Sequence, residues 1–110
     1  MLFRTANLSQ LGDFDEIIDV RTPAEFDALR VAGAVNIPLD RLDAAALRQR
    51  FGANAALYCI CQTGTRSQLA ARMLREAGFS HVVHVDGGTN AWMAAGLPVE
   101  RGSAPAARLQ

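Results

Sequence analysis

The sequence predicts an α/β domain built on a mainly parallel sheet of about five strands, with helices on both faces. Three observations carry the prediction. Short apolar runs of strand character (Met1–Arg4, Glu16–Val20, Ala34–Ile37, Leu57–Ile60 and Val82–Val85) alternate with stretches of helical spacing. Glycine or proline stands where several of these segments stop, at Gly33, Pro38, Gly52, Gly78 and Gly96. The chain has 110 residues, enough for one core but not two. Strands that alternate with helices pair in parallel, and helices then cover both faces of the sheet.

Taken in order, Met1–Arg4 reads as a short edge strand, and residues 7–11 as a short helix with Leu8 and Leu11 inward. Glu16–Val20 is a strand that ends on a polar turn. The next helix has a well-marked start. Thr22 is its N-cap, Pro23 fills the first helical position, and Glu25 can close a capping box. That helix fades by Arg30, and Gly33 lets the chain turn into Ala34–Ile37. Leu42–Phe51 reads as an amphipathic helix with Leu42, Ala46, Leu47 and Phe51 inward. After the strand Leu57–Ile60, the residues Leu69, Ala70, Met73, Leu74 and Ala77 recur at helical spacing up to Gly78. Following Val82–Val85, Asp86-Gly87-Gly88-Thr89 turns into a last helix carrying Ala91, Trp92 and Ala95. From Leu97 onward no pattern remains, so residues 1–99 form the expected domain and residues 100–110 a flexible tail.

Composition removes several functions. Formal net charge is zero and no basic run occurs, which argues against nucleic acid or anionic membrane as a primary partner. All 11 basic residues are arginine, so Schiff-base chemistry and a phosphate loop of the GK[ST] kind are both excluded. Two cysteines in a C-x-C pattern make no disulfide framework, and nothing resembles a signal peptide or a long apolar span. A reducing, cytoplasmic setting is expected.

The stretch with chemical content is Cys61-Gln62-Thr63-Gly64-Thr65-Arg66-Ser67. Here an apolar strand ends on a cysteine, a small polar loop with glycine turns the chain, and a helix follows. Loop amides and the helix N-terminus can converge on the sulfur, and Arg66 adds positive charge, which together favour thiolate over thiol. Free cysteine is often only a packing residue. That description suits Cys59, inside the strand, better than Cys61. Sites on parallel sheets lie at the carboxyl ends of the strands. The rule gathers Asp19–Arg21, the Cys61–Arg66 loop and Gly87-Gly88 on one edge.

These residues resemble the rhodanese family of single-domain sulfurtransferases, over roughly residues 17–99. Ile18-Asp19-Val20-Arg21 with Pro23, Glu25 and Phe26 is similar to the family's opening motif. Gly33-Ala34-Val35-Asn36-Ile37-Pro38 is similar to its second motif, and Cys61–Ser67 to its active loop. Gly87-Gly88-x-x-x-Trp92 with Gly96-Leu97-Pro98-Val99 is similar to its closing motif. The resemblance implies a cysteine, Cys61, that carries sulfane sulfur as a persulfide. Gln62, Thr63, Gly64, Thr65, Arg66 and Ser67 would hold it, with Asp19, Arg21, Gly87, Gly88 and Trp92 around them. Thiosulfate or a related anion would be the donor, and cyanide, a thiol or a protein the acceptor, with no cofactor and no metal. The chain departs from the family at Arg30, where histidine is frequent. Because that position lies in a connecting segment, the change is expected to alter the substrate's surroundings more than the fold.

Three other readings compete. Phosphatases and arsenate reductases on this scaffold place five residues between cysteine and arginine. Here there are four, Gln62–Thr65, a narrower ring suited to one sulfur atom. A non-catalytic docking or regulatory module of the family usually lacks the loop cysteine. Metal binding by Cys59, Cys61, His81 and His84 is disfavoured because strand residues three apart point to opposite faces, which leaves the histidines as surface or strand-edge residues.

Overall fold

A computed structural model gives the architecture and describes residues 2–3 and 15–102. The elements in chain order are β1 (Leu2–Phe3), β2 (Asp15–Asp19), α1 (Pro23–Ala28), β3 (Arg30–Val31), β4 (Val35–Asn36), a 3-10 turn (Leu39–Arg41), α2 (Ala44–Phe51), β5 (Ala56–Ile60), α3 (Thr65–Glu76), β6 (His81–Val85), α4 (Gly88–Ala94) and β7 (Val99–Glu100). Five strands form one sheet in the order β1-β6-β5-β2-β4, and every pairing in it is parallel. The expected edge strand at the amino terminus is present as β1. The short helix expected over residues 7–11 lies outside the described residues.

The strand order reverses direction between β2 and β5. The chain moves outward from β2 to β4, then returns to β5 and continues to β6 on the other side. A crevice at the carboxyl ends of strands opens at such a reversal. Asp19 of β2 is in register with Ile60 of β5, so the turns after these two strands stand side by side there.

Alternation along the strands divides the core in two. Ile18, Leu57, Cys59 and Val82 pack with Leu47 of α2 and with Ala70, Ala71 and Leu74 of α3. Ile17, Ile60 and Val85 point the other way, to Phe26 of α1 and Trp92 of α4. Helices therefore cover both faces, as the sequence predicted. Burying a side chain such as Phe26 or Leu57 stabilises the fold by roughly 1.5–3 kcal/mol.

α1 begins as expected. Glu25 N donates to Thr22 Oγ1 at 3.2 Å, Thr22 N donates to Glu25 Oε1 at 3.0 Å, and Pro23 occupies the first turn.

Three local expectations are corrected, and the orientation of α3, which the sequence left open, is fixed. Helix α2 starts at Ala44 with Asp43 as its cap, so Leu42 lies before it and packs half-buried from outside. Of the four residues expected inward there, Ala46 is exposed, because the short helix lays one side on the core and Leu47 alone is fully buried.

In α3 the buried stripe is Ser67, Ala70, Ala71 and Leu74, while Leu69 and Met73 are 41% and 39% exposed. Ser67 faces the Cys61 sulfur, and that requirement rotates the helix by about a quarter turn from the orientation its leucines suggest.

The segment from Leu97 is not patternless. Val99–Glu100 pairs antiparallel with Arg30–Val31, and Gly102 N donates to Asp27 O at 2.7 Å.

Arg30 works in the fold. It is buried, donates to Phe26 O at 3.1 Å and Gly102 O at 2.6 Å, lies over the Phe26 ring, and pairs with Glu100. Its partners are thus helix α1 and the strap at 100–102, not the Cys61 loop. Among the described residues, no helix is long and apolar enough to cross a membrane.

Candidate active site

The site is assembled at the end of β5. Cys61 is the first residue past the strand, and the chain turns through Gln62 and Thr63 to Gly64, whose φ of 116° only glycine adopts readily. That conformation directs backbone N–H groups inward. Gly64 N donates to Cys61 Sγ at 3.1 Å and Ser67 N at 3.4 Å. The thiol meets Ser67 Oγ at 3.6 Å, and the Ser67 hydroxyl donates to Gly64 O at 3.0 Å. Cys61 and Ser67 are buried, whereas Gln62, Thr63 and Thr65 are exposed around them. The sulfur is recessed inside its own loop.

Two influences oppose each other at this thiol. Burial pushes its pKa up, but hydrogen bonding to Ser67 hydroxyl and amide, Gly64 amide and Thr63 amide pulls it down, and the net shift is downward. Such bonds favour the charged form because an anionic sulfur accepts more strongly than a neutral one.

Arg66 does not stand free beside the sulfur, as the sequence suggested. Its Nη1 and Nη2 reach Glu25 Oε1 and Oε2 at 2.8 and 3.0 Å, a two-pronged ion pair. Glu25 therefore does two jobs: it caps α1, as its place after Thr22 suggested, and it ties that helix to the loop. The Arg66 contact, outweighing burial, is the main reason the Glu25 carboxyl is held down at about 2. Glu25 likewise raises the Arg66 pKa, with burial opposing and the Cys61 and Asp19 charges adding to the rise.

Behind the loop, helix α4 acts as a clamp. Thr89 N and Oγ1 donate to Cys61 O at 2.8 and 3.1 Å, and Asn90 N donates to Gln62 O at 3.2 Å. Gly88 permits this approach. Its φ is +57°, and a Cβ there would overlap Cys61 O and stand 2.7 Å from Gln62 O. Gly87, also at positive φ, turns the chain into the helix.

Asp19 and Arg21 form the neighbouring wall. Arg21 Nη2 meets Asp19 Oδ2 at 2.7 Å and Leu29 O at 2.6 Å, and Arg21 N donates to Asp19 Oδ1 at 3.0 Å. Asn36 Nδ2 donates to Asp19 O and Arg21 O, both at 3.0 Å, which fixes the turn after β2. Removing one partner of a buried pair of this kind costs about 3–5 kcal/mol.

Gly87, Gly88, Asp19 and Arg21 thus come together with the loop at one sheet edge. Trp92 does not join them: it packs in the core between Phe26, Ile60 and Val85 and donates to Pro98 O at 2.6 Å. Thr89, Asn90 and Asn36 are structural partners of the site that sequence reasoning left without a role. A polar residue next to the Gly87-Gly88 pair, at a helix start, was the available signal for Thr89.

The histidines do point apart, His81 outward and His84 inward. His84, however, is buried on β6, an interior strand between β1 and β5, and so is neither a surface nor an edge residue. Among the described residues, no cluster of three or more histidine, cysteine or acidic groups could hold a metal ion.

Comparison with known proteins agrees with this architecture. The family model described as "Rhodanese-like domain" matches residues 5–95. An uncharacterised protein of Synechocystis is 42% identical over 93 residues, covering 83% of this chain and 51% of its own length. The putative sulfur carrier protein YrkF of Bacillus subtilis is 36% identical over 86 residues, covering 76% of this chain and 45% of its own. The chain thus spans about half the length of these two curated relatives. The crystal structure of a thiosulfate sulfurtransferase from Pseudomonas aeruginosa superposes with a TM-score of 0.80 at 26% identity, over 92% of this chain and 19% of that one. By the family-model match over residues 5–95, and with the superposition in agreement, this chain belongs to the rhodanese-like domain family.

Proposed function

We propose that this domain transfers sulfane sulfur through a persulfide on Cys61, with thiosulfate or a related anion as donor. The observation that carries the reading is the convergence of the Gly64 and Ser67 amides on Cys61 Sγ, at 3.1 and 3.4 Å. A relative named as a sulfur carrier and a structural neighbour named as a thiosulfate sulfurtransferase support the same chemistry.

In the first step the Cys61 thiolate attacks the outer sulfur of thiosulfate. A new S–S bond forms, the old one breaks, and its electron pair leaves with sulfite. Sulfite is a weak base, so the step needs no general acid. The outer sulfur then carries the negative charge, and the inward N–H groups of Thr63, Gly64 and Ser67 receive it without reorganisation. A loop with four residues between Cys61 and Arg66 leaves room for that one atom and little for a tetrahedral oxyanion. In the second step a thiophilic acceptor such as cyanide, a thiol or a protein thiol takes the outer sulfur and regenerates the thiolate. Gln62, Thr63 and Thr65 form the exposed rim through which both substrates pass. Gly87 and Gly88 let helix α4 hold the loop's shape, Asp19 and Arg21 wall the site beside it, and Arg66 fixes the loop's far end to Glu25. Thiolate chemistry of this kind suits a reducing, cytoplasmic setting.

The test is the intact mass after thiosulfate treatment. One added sulfur, mapped to Cys61 and removed by cyanide with release of thiocyanate, is the expected result. A protein that stays unmodified, or turns over an aryl phosphate faster than it transfers sulfur, overturns the reading.

A further inference from the structure

A buried arginine is costly unless acceptors offset its lost hydration, and Arg30 is only 3% exposed. Its acceptors show what it holds together. Nη1 donates to Phe26 O at 3.1 Å and to Gly102 O at 2.6 Å. The ion pair with Glu100 is the lesser contact. Nε lies 3.4 Å from Glu100 Oε1 without an aligned hydrogen bond, and the Glu100 side chain is exposed.

The carbonyl of Phe26 belongs to the end of a helix. The last four carbonyl groups of a helix have no partner within it, and a cation beside them is favourable. α1 has six residues and no basic residue in its last turn. Phe26 O accepts from Arg30 instead, and Asp27 O accepts from Gly102 N at 2.7 Å. Arg30 thus closes the carboxyl end of α1 and fastens the strap at residues 100–102 to it. Toward its other end the strap is tied to α4, where Trp92 Nε1 donates to Pro98 O.

α1 and α4 are also the two helices that grip the Cys61 loop. α4 holds Cys61 O and Gln62 O through Thr89 and Asn90. α1 holds the start of α3, because Glu25, the residue before Phe26, pairs with Arg66. Next to Arg66 is Ser67, whose amide meets Cys61 Sγ at 3.4 Å, a longer contact than the 3.1 Å of Gly64. A longer hydrogen bond is the first to go when its support shifts.

We infer that Arg30 is a positioning residue for the Cys61 loop, which it does not touch. It fixes α1 so that Glu25 holds Arg66, and with it the Ser67 amide, against the sulfur. This deepens the persulfide reading and rests on it only for the turnover readout below. Without Arg30, α1 keeps its exposed capping box, the Arg21 contact at Leu29 O and the buried Phe26 ring. The helix then still forms but is free to tilt, and the pull of Glu25 on Arg66 loses its fixed direction.

The decisive measurement is the alkylation rate of Cys61 against pH in variants at residue 30. Arg30→Ala should raise the midpoint by about half a pH unit, or about threefold less thiolate below the midpoint, with sulfur transfer at neutral pH falling in proportion. Arg30→Lys keeps a cation and donors at the end of α1 and should restore most of both. Glu25→Gln should itself raise the midpoint, and Arg30→Ala should add nothing in that background, since the two act in series. Phe51→Ala removes packing from α2 and should lower the melting temperature without moving the midpoint. Should Arg30→Ala not fold, Arg30→Gln, which keeps a neutral amide in its place, carries the same expectation. An unchanged midpoint in the folded Arg30 variants, an equal shift in Phe51→Ala, or a full further shift in Glu25→Gln overturns the inference. The midpoint belongs to the free thiol and needs no sulfur donor. A protein that shows these shifts yet takes up no sulfur from thiosulfate would overturn the persulfide reading and leave Arg30 in its role.

Discussion

Cys59 and Cys61 lie two residues apart, face the same side of the sheet and belong to the same core cluster, yet their environments drive them in opposite directions. Cys59 is inside β5, where burial pushes its thiol up to about 12, Arg75 opposing and the Cys61 charge adding a little. Cys61 is likewise shut off from solvent but lies less deep, and it stands where the strand has ended and N–H groups turn inward, so its thiol is pulled down. Enclosure alone does not decide a cysteine's chemistry. What decides it is whether the enclosing atoms are strand partners already bonded to each other or donors left free by a turn.

The comparison breaks most completely if the sulfur at 61 is removed. Cys61→Ser should lower thiocyanate formation from thiosulfate and cyanide by on the order of 10³-fold or more, since a serine hydroxyl is not activated by these amides. A variant that keeps most of its turnover would move the chemistry elsewhere, with Cys59 as the next thiol to examine.

The donors themselves depend on the clamp from α4. Gly88→Ala would place a methyl group against Cys61 O and Gln62 O at a φ of +57°. Strain and overpacking together should cost roughly 2–4 kcal/mol, and the loop should lose the geometry that lowers the Cys61 pKa. Thermal unfolding and alkylation rate against pH read the two effects separately. A variant with wild-type midpoints in both would show that the clamp is dispensable.

Much of this was legible in the sequence, and the reason differs by element. The start of α1 is a local matter of Thr22, Pro23 and Glu25, so it could be read directly. The Cys61 loop could be read because a polar run with glycine interrupts an apolar strand. The rotation of α3 could not, because Leu69, Ala70, Met73 and Leu74 leave two faces open, and contact between Ser67 and Cys61 decides between them. Nor could the pairing of Arg66 with Glu25, which joins residues 41 apart in the chain. Arg30 was misread for a similar reason. Its partners at Glu100 and Gly102 lie in a segment whose sequence carries no strand pattern.

A subtler change separates the hydroxyl from the amides. Ser67→Ala removes the Ser67 hydroxyl and leaves the Gly64 and Ser67 N–H groups on the sulfur. On ionisation the Ser67 hydroxyl can turn its one proton from Gly64 O to the sulfur. Without that hydroxyl the midpoint of alkylation against pH should move upward, and sulfur transfer at neutral pH should fall by roughly tenfold, the worth of one hydrogen bond to a charged group. An unchanged midpoint would assign the whole effect to the backbone.

The Glu25–Arg66 pair tests whether the loop is stabilised from outside. The folded carboxyl is held at about 2, below its ordinary 4.5, so the pair contributes fully above pH 4.5 and is lost as pH falls toward 2. The pair is partly exposed, which limits it to about 0.2–1 kcal/mol. Glu25→Gln should therefore melt a few degrees below wild type at neutral pH, with the gap closing as the solution is acidified through that window. A gap independent of pH would mean the substitution acts through the α1 cap and not through the ion pair.

The smallest effect is expected at Cys59. Its side chain fills space between β5 and the helices on that face, and both cysteines are free thiols. Along an extended strand, positions two apart are separated by about 6.6 Å, near the upper end of disulfide Cα distances, and their side chains leave in parallel. A bridge would require the end of β5 to buckle and would pull Cys61 from the Gly64 and Ser67 amides. Cys59→Ala should thus leave sulfur transfer within about twofold of wild type and cost roughly 1–2 kcal/mol at neutral pH from the cavity it leaves. The cost has a pH dependence of known sign. Because folding raises the Cys59 pKa from 9.0 to about 12, the folded state favours the neutral thiol, and wild type loses that stability as pH climbs from about 9 toward 12. Alanine has no proton to lose. The difference in unfolding free energy between variant and wild type should therefore shrink across that range, and reducing agent should not alter it. Loss of turnover in Cys59→Ala with the fold intact, or a Cys59–Cys61 bridge under mild oxidant, would make the two cysteines a redox couple and undo the contrast between them.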